Sequence, residues 1–569
     1  MKTLTHTTDK GMMKVVACAA FFILQSSLFT SCNSFLTDEP QSQITPEEAY
    51  NSVKNLKLNA LLTVYNYIGG HEQSQGLQGT DRGVYDLNSF TTDEQIVPTR
   101  GGDWFDGGLW LRLFFHTWSA GEAPLKNTWD YLFKVVILCN EGIEHINAYK
   151  TTNVEEQEEL ESYKAELRAV RAMFYFYLMD LYGRVPLVTQ TGIKSNEMTL
   201  ADRKTLFYWI YNELNEAMPY LSNEKSIRPK TEYYGRVTAS VAYFLMMKLA
   251  INAEVYTDND WTDQQRPDGH QIILKTYDFR DGEINEASAW QTVKEIGYLL
   301  YSDYKLAEYY PDNFDVNNEN SPENIFVIPM NPLLYSNKYN YFFRSRHYCH
   351  GAALNGGAEN GPCATVSTIK AFGYGKDDYD IRLTFNFYYD EVIVNSHQVY
   401  EDDGKTPLVY HPLAVTNIDL SGEPFEKTAG ARIAKYSVDA TARDDGRLGN
   451  NDIVLFRFAD VVLMYAEACY RLGETEDALK ALNSVFTRSN QNARPSYKEV
   501  NDDILLQERL LEFMWEGWRR NDLIRFDRFH KPYDLKNSSE HEADRHTIVF
   551  PIPADMMVMH PDWEQNPGY

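Results

Sequence analysis

Apolar residues return every three or four positions through most of this chain, the spacing that lines one face of an α-helix. The clearest case runs from 155 to 182, where Leu167, Val170, Phe174, Leu178 and Leu181 form one stripe that Gly183 and Pro186 end. Stretches of the same period lie at 126–147, 203–221, 236–256, 289–304, 457–472, 475–489 and 501–527. A first helix is predicted over 45–67, because Thr45 can accept backbone N–H groups, Pro46 suits an opening turn, and Glu47 and Glu48 oppose the helix dipole. These elements predict an all-α fold.

Two regions break the pattern. Between about 310 and 450 the chain turns to Asn, Gly, Pro and Asp clusters, with alternating runs at 339–348 and 385–389 that predict short strands. A similar irregular, aromatic-rich stretch covers 69–118, although Trp110, Phe114, Phe115 and Trp118 keep helical spacing and read as core. Long loops on a helical scaffold are where contacts with other molecules concentrate. No Pro- or Ser-rich linker divides the chain, which reads as one domain over 32–569.

The first 31 residues stand apart. Lys14 precedes an apolar run from Val15 to about Leu28, too short to span a bilayer and suited to a secretory signal. Thr30, Ser31 and Cys32 resemble a bacterial lipobox, although Phe29 stands where Leu is usual, and this implies a lipid on Cys32 after cleavage. Residues 1–31 carry three lysines and one aspartate, so the remainder holds 51 basic and 80 acidic residues, a net −29. Such a surface repels nucleic acid and anionic lipid head groups. Cys139, Cys349, Cys363 and Cys469 are too few for a disulfide scaffold, with Cys349 and Cys363 as the one pair that could bridge.

Several segments together resemble the SusD/RagB family of outer-membrane nutrient-binding lipoproteins. They are Cys32-Asn33-Ser34-Phe35-Leu36, the run ELRAVRAMFYFYLMDLYGRVPLV at 166–188, and Phe456-Arg457-Phe458-Ala459-Asp460-Val461 with Tyr465-Ala466-Glu467-Ala468. Glu508, Arg509, Glu512, Glu516 and Gly517 through Asp522-Leu523-Ile524-Arg525 follow, then the PIP and QNPGY ending. The resemblance implies tetratricopeptide-like helical hairpins, which the turn Leu472-Gly473-Glu474-Thr475 flanked by Ala466, Ala468 and Ala478 fits. It also implies a glycan-binding, non-enzymatic surface lipoprotein that delivers oligosaccharide to a SusC-like TonB-dependent transporter, or a RagB-like protein that takes peptides. The charged motif residues, Arg168, Arg171, Arg457, Asp460, Glu467, Glu508, Glu512, Arg519, Asp522 and Arg525, read as buried ion pairs rather than ligand contacts.

Little suggests catalysis or a cofactor. In His541-Glu542-Ala543-Asp544-Arg545-His546 the histidines are five apart, so they cannot share a helix face for zinc, and the segment reads as a solvated loop. Gly373-Tyr374-Gly375-Lys376 lacks the spacing of a phosphate-binding loop. Carboxylate pairs at Asp93/Glu94 and Asp103/Asp106 would suit a glycosidase only if they flanked a bound sugar. The binding candidates lie in Thr92-Asp93-Glu94 and in Arg100-Gly101-Gly102-Asp103-Trp104-Phe105-Asp106-Gly107-Gly108-Leu109-Trp110, ending at His116-Thr117-Trp118, since an indole can stack on a pyranose while Arg and Asp fix hydroxyl orientation. Trp104 leads as platform, the alternative being that it plugs its own loop. Arg100, Asp103 and Asp106 are its polar partners, and Tyr335, Tyr339, Tyr341 and Arg344 would extend the surface.

Overall fold

The structure is a computed structural model that describes residues 45–69, 75–78, 81–227, 231–333, 339, 341–443, 446–490, 494–537 and 542–569. Nine helices carry the scaffold: α1 Ala123–Ala148, α2 Val154–Tyr182, α3 Arg203–Ala217, α4 Ala239–Ile251, α5 Ala289–Tyr301, α6 Phe458–Arg471, α7 Thr475–Asn490, α8 Asp502–Phe513 and α9 Arg519–Arg525. Apart from 501–527, each periodic stretch from 126 onward therefore forms a helix within a few residues of its expected bounds, while the helix expected over 45–67 is interrupted between Ala49 and Val53. Asn153 caps α2 by accepting the Glu155 N–H at 3.0 Å, and Asp202 caps α3 by accepting the Thr205 N–H at 2.7 Å. At the end of α2 Gly183 adopts φ 70°, and a Cβ there would sit 3.0 Å from Trp261. α4 is apolar almost all round and every residue of it is buried, as expected of a helix inside the stack.

Neighbouring helices pack as hairpins: α1 on α2, α2 on α3, α4 on α5, α5 on α6, and α6 on α7. Their inner faces merge into one apolar core that extends from Leu56 to Trp563. Strands are short and paired in twos. A hairpin of β1 Ile273–Asp278 and β2 Glu283–Ser288 lies between α4 and α5, in a stretch without a clear period. β3 Asn324–Ile328 pairs antiparallel with β4 Ile453–Arg457, both fully buried, and β4 runs directly into α6. No described helix is long and apolar enough to cross a membrane.

Between these elements lies a buried ionic lattice. Glu512 accepts from Arg457 at 2.6 Å, from Arg382 at 2.7 Å and from Arg488. Arg457 also reaches Glu323 at 2.7 Å and Glu516 at 2.8 Å, Lys435 reaches Glu516 at 2.6 Å, and Arg382 bridges Asp380 and Glu508. With Arg494 on Asp380, five cations among the described residues meet five carboxylates in this cluster. Desolvation works against ionisation of Glu512, but its arginines win and hold the carboxyl far below its usual range. A second cluster joins Lys248, Arg509 and Arg525 to Asp460, Asp522 and Glu467. Arg168 and Arg171 share Glu213, and Arg519 grips Asp93. The charged motif residues are thus internal pairs, as their spacing suggested.

Three further expectations need correction. The stretch 501–527 is two helices, because after Phe513 the chain turns through Trp515 at φ 70° and Gly517 at φ 75°. Distant groups impose that break: the Trp515 N–H donates to Glu94 at 2.8 Å and its indole N–H to the Asn386 carbonyl at 2.9 Å. Residues 339–348 form helical turns at Tyr341–Arg344 and Tyr348–Ala353 rather than a strand, the second capped by His347 accepting the Cys349 N–H. Only Phe387–Tyr388, against Arg432–Ile433, supplies an expected short strand. Finally, Cys349 and Cys363 are free thiols, the first facing Asp402 and the second buried under Arg100.

The lattice makes two predictions. Glu512→Gln strands three arginines in the interior and should cost about 3–5 kcal/mol of stability, whereas Glu161→Gln, in an exposed pair with Lys164, should cost no more than about 0.5 kcal/mol. Urea unfolding midpoints compare the two directly. Burial raises the Glu94 carboxyl from 4.5 to about 8, against the lowering effect of the Trp515 N–H. The folded chain therefore keeps a proton that the unfolded chain releases, and this contribution, complete below about pH 4.5, is lost as pH rises toward about 8. Glu94→Gln retains an acceptor for Trp515 and has no proton to lose, so its melting temperature should fall less than the parent's across that window. Parallel declines would refute the assignment.

Candidate functional site

The loop 97–108 is pinned at its base and exposed at its tip. Residues 95–96 pair with 363–364, and Thr99 exchanges backbone hydrogen bonds with Ile418 and Leu420 at 2.9 Å each. Arg100 and Asp103 then close a tight turn through each other's backbone, with Gly101 at φ 65° and Gly102 at φ 94°. Any other residue at Gly101 would be strained by that φ and would displace the Glu426 carboxylate, which lies 2.2 Å from where its Cβ would sit. Trp104 and Asp106 continue in the left-handed region at φ 62° and 43°, followed by Gly107 and Gly108. Two non-glycine residues in that region, one of them bulky, store strain that only surrounding contacts can hold.

Those contacts are present. The Arg100 guanidinium lies fully buried beneath the loop, donating to the carbonyls of Gly361, Glu426 and Ala429. Trp104 donates its indole N–H to the Glu359 carbonyl at 2.7 Å and lays its ring on Gly361, where a Cβ would come within 2.3 Å. Asp106 accepts the Trp110 indole N–H at 2.6 Å and pairs with Arg82 at 3.1 Å. Lys427 donates to the Arg100 carbonyl at 2.6 Å and to Asp103 at 3.0 Å, and Asp103 also accepts the Tyr348 hydroxyl at 3.2 Å. Over this framework Phe105 is 57% exposed and Tyr348 42% exposed. The result is an anchored turn that carries the exposed Phe105, linked through Asp103 to the exposed Tyr348 and flanked by Arg82, Asp106 and Lys427.

Each residue expected to bind now has a place. Asp103 and Asp106 are exposed on the rim and Trp104 is half-buried between them, so the plug geometry describes its position and its neighbour Phe105 takes the outward one. Arg100 is internal, its charge spent on carbonyls and on the Cys363 sulfur, and burial lowers it to about 9. Arg344 is also internal, bridging Asp81 at 2.9 Å and Asp86 at 2.6 Å, and Tyr339 is buried with its hydroxyl on the Gly69 carbonyl at 3.0 Å. These three belong under the surface rather than on it. Tyr335, the side chain of Tyr341, and Cys32 lie outside the described residues. Tyr348, Arg82 and Lys427 lie outside the expected set, and Phe105, inside the expected segment, was not singled out. The glycines on both sides of Asp103-Trp104-Phe105-Asp106 carried the missing signal, since they mark a turn that must send one of two adjacent aromatics outward.

The carboxylates considered for hydrolysis are all engaged. Asp93 binds Arg519 at 2.6 Å, Glu94 is buried on the Trp515 N–H, and Asp103 and Asp106 are held as above. In the 541–546 segment His541 is outside the described residues, and the rest corrects the expectation of a solvated loop. Glu542 is buried between His116 and Lys536, and His546 is buried on Asp544. Among the described residues no three His, Cys, Asp or Glu side chains converge as a metal site.

Comparison with known proteins agrees with this architecture. Residues 301–569 match the SusD family. The starch-binding protein SusD of Bacteroides thetaiotaomicron is 24% identical over 599 residues, covering 98% of this chain and 99% of its own. SusD-like protein P38 of Formosa agariphila is 21% identical with the same coverage of both chains. Among solved structures, surface glycan-binding protein A from Bacteroides thetaiotaomicron in complex with laminarihexaose superposes with TM-score 0.64 at 18% identity, over 91% of this chain and 99% of that one. A laminarin-binding SusD-like protein gives TM-score 0.64, also at 18% identity, over 91% and 100%. At such identities the structures establish the shared helical fold. The matched C-terminal region and the end-to-end likeness of the curated relatives make the chain similar to SusD-like proteins along its whole length.

Proposed function

We propose that this protein captures oligo- or polysaccharide at the cell surface on the Phe105–Tyr348 platform and passes it, chemically unchanged, to a SusC-like TonB-dependent transporter. The observation that carries this reading is an exposed aromatic held in a strained, many-times-anchored turn. Stacking on a sugar needs a flat apolar face that does not have to be ordered on binding, and the Arg100, Trp104 and Lys427 contacts supply that order in advance. Arg82, Asp103, Asp106 and Lys427 offer both donors and acceptors for hydroxyl groups. The named ligands of similar proteins, starch and laminarin, support saccharide over peptide. A lipid on Cys32 would confine the protein to the outer membrane beside its transporter, where even a weak interface is occupied. Tyr335 and Tyr341 would extend the platform from the adjoining segment.

Phe105→Ala should weaken binding of a recognised glycan by about 1–2 kcal/mol, roughly 5- to 30-fold, because one aromatic face is lost while the anchors stay. Its melting temperature should match the parent's. Trp104→Ala should lower both affinity and melting temperature, since it removes the Glu359 bond and the Gly361 packing. Calorimetry on array-selected glycans checks this, and unchanged affinity in Phe105→Ala would move the site elsewhere. Tight binding of peptides with no saccharide bound would overturn the ligand class. Cys32→Ala should release the protein from membranes, and mild detergent should recover the native form with a barrel-sized partner.

A further inference from the structure

One arginine beside the platform has no partner. Arg346 is 7% exposed, its Nε makes no hydrogen bond, and its guanidinium meets no described carboxylate, only the face of Tyr388 at 5.7 Å. It lines a crevice of about 50 Å³ between the 354–356 turn and described residues of 436–442 and 446–451. A buried guanidinium left without an acceptor is costly, and such groups are ordinarily paired. Next to it the Asn360 amide, 1% exposed, leaves both its oxygen and nitrogen unpartnered. Among the described residues the one carboxylate in the crevice wall is committed elsewhere: Asp439 accepts from the backbone and side chain of Thr441 and of Asn450, at 2.7–2.8 Å.

Size and position say what fits. The space holds a few waters, at about 10–15 Å³ of cavity each, and so suits a small head group such as a carboxylate or sulfate better than a whole sugar ring. Arginine suits both, because its planar donors match their oxygens in pairs. The crevice and the platform share a wall. The Arg346 carbonyl accepts from the Asn360 N–H at 2.8 Å and the Arg344 carbonyl from the Gly361 N–H at 2.9 Å, while Glu359 and Gly361 are the residues on which Trp104 rests. Beneath that wall Arg100 and Arg432 are likewise buried on carbonyl oxygens without a carboxylate. In a chain of net charge −27 this is a local concentration of unneutralised positive charge.

We propose that the Arg346 crevice receives the carboxylate or sulfate of an acidic glycan whose sugar rings lie on the Phe105 platform, so that the protein selects acidic over neutral saccharides. This rests on the glycan-binding reading above. Calorimetry with an oligogalacturonate and its methyl ester, and with a sulfated oligosaccharide and its desulfated form, reads the charge preference on a constant backbone. One charged form should bind about tenfold tighter than its neutral counterpart at low salt, with the ratio shrinking as salt rises. Arg346→Gln should abolish the ratio and leave neutral affinity unchanged, and Arg346→Lys should restore part of it. Equal binding of charged and neutral forms by the unaltered protein overturns the proposal without any variant, as does a ratio that survives in a normally melting Arg346→Gln. Stabilisation by inorganic sulfate through Arg346 with no acidic-glycan preference would assign the crevice to a free anion and also overturn it. Failure of the glycan reading itself looks different, since then no saccharide of either kind binds.

Discussion

Everything on the binding side of the molecule hangs from the Arg457–Glu512 contact. Arg457 closes strand β4 and opens helix α6, Glu512 sits at the end of α8, and both are fully buried. Ions so placed lose their hydration, and the loss is tolerable only where every charge meets an opposite one in good geometry. Satisfying Glu512 therefore requires Arg382 and Arg488, satisfying Arg382 requires Asp380 and Glu508, and satisfying Arg457 requires Glu323 and Glu516. These partners come from the residue before β3, from the 380–382 turn, from α7 and α8 and from the turn after α8, so the pairing fixes the irregular 310–450 layer against the helices. An apolar cluster of equal volume could be as stable, yet it would accept several arrangements where paired charges accept one.

From the lattice a continuous set of contacts leads to the platform. Trp515, just past Glu512, binds Asn386 on one side and Glu94 on the other, while Asp93 holds Arg519. Residues 95–96 pair with 363–364, Thr99 bonds with 418–420, and Arg100 anchors the turn that carries Phe105. The strain at Trp104 and Asp106 is tolerable because the base of the loop cannot move to relieve it. A surface loop thus takes its rigidity from buried groups far along the chain.

This route explains what the sequence could reveal. Helices α1 to α7 were legible because an apolar stripe of period 3.6 is a local property. The charged motif residues were legible as pairs, since so many ions in apolar helices must find partners. The break between α8 and α9 was not, because Glu94 and Asn386 impose it from more than a hundred residues away, and no local propensity at Trp515 announces it. The helical turns over 341–353 were hidden for a similar reason, as Arg344 is drawn inward by Asp81 and Asp86. At the site, composition identified the loop, but Arg100, Tyr339 and Arg344 look alike in sequence whether they face water or carbonyl oxygens. Exposure, which separates Phe105 from Trp104, is decided by backbone φ at single residues.

The same electrostatic logic separates the structural arginines from a functional one. In this interior, burial and pairing go together: Arg382, Arg457, Arg488, Arg509 and Arg525 each meet at least one carboxylate, and Arg520 meets Asp180 at 2.8 Å. Arg100 and Arg432 depart from the rule but spend their donors on several carbonyls, and Arg203, buried without a hydrogen bond, lies against the faces of Tyr256 and Trp261. Arg346 departs from it altogether, and does so in a crevice that opens beside an exposed aromatic platform. Unlike Arg203 it lines an open crevice, so an anion from outside can supply the partner that the interior does not.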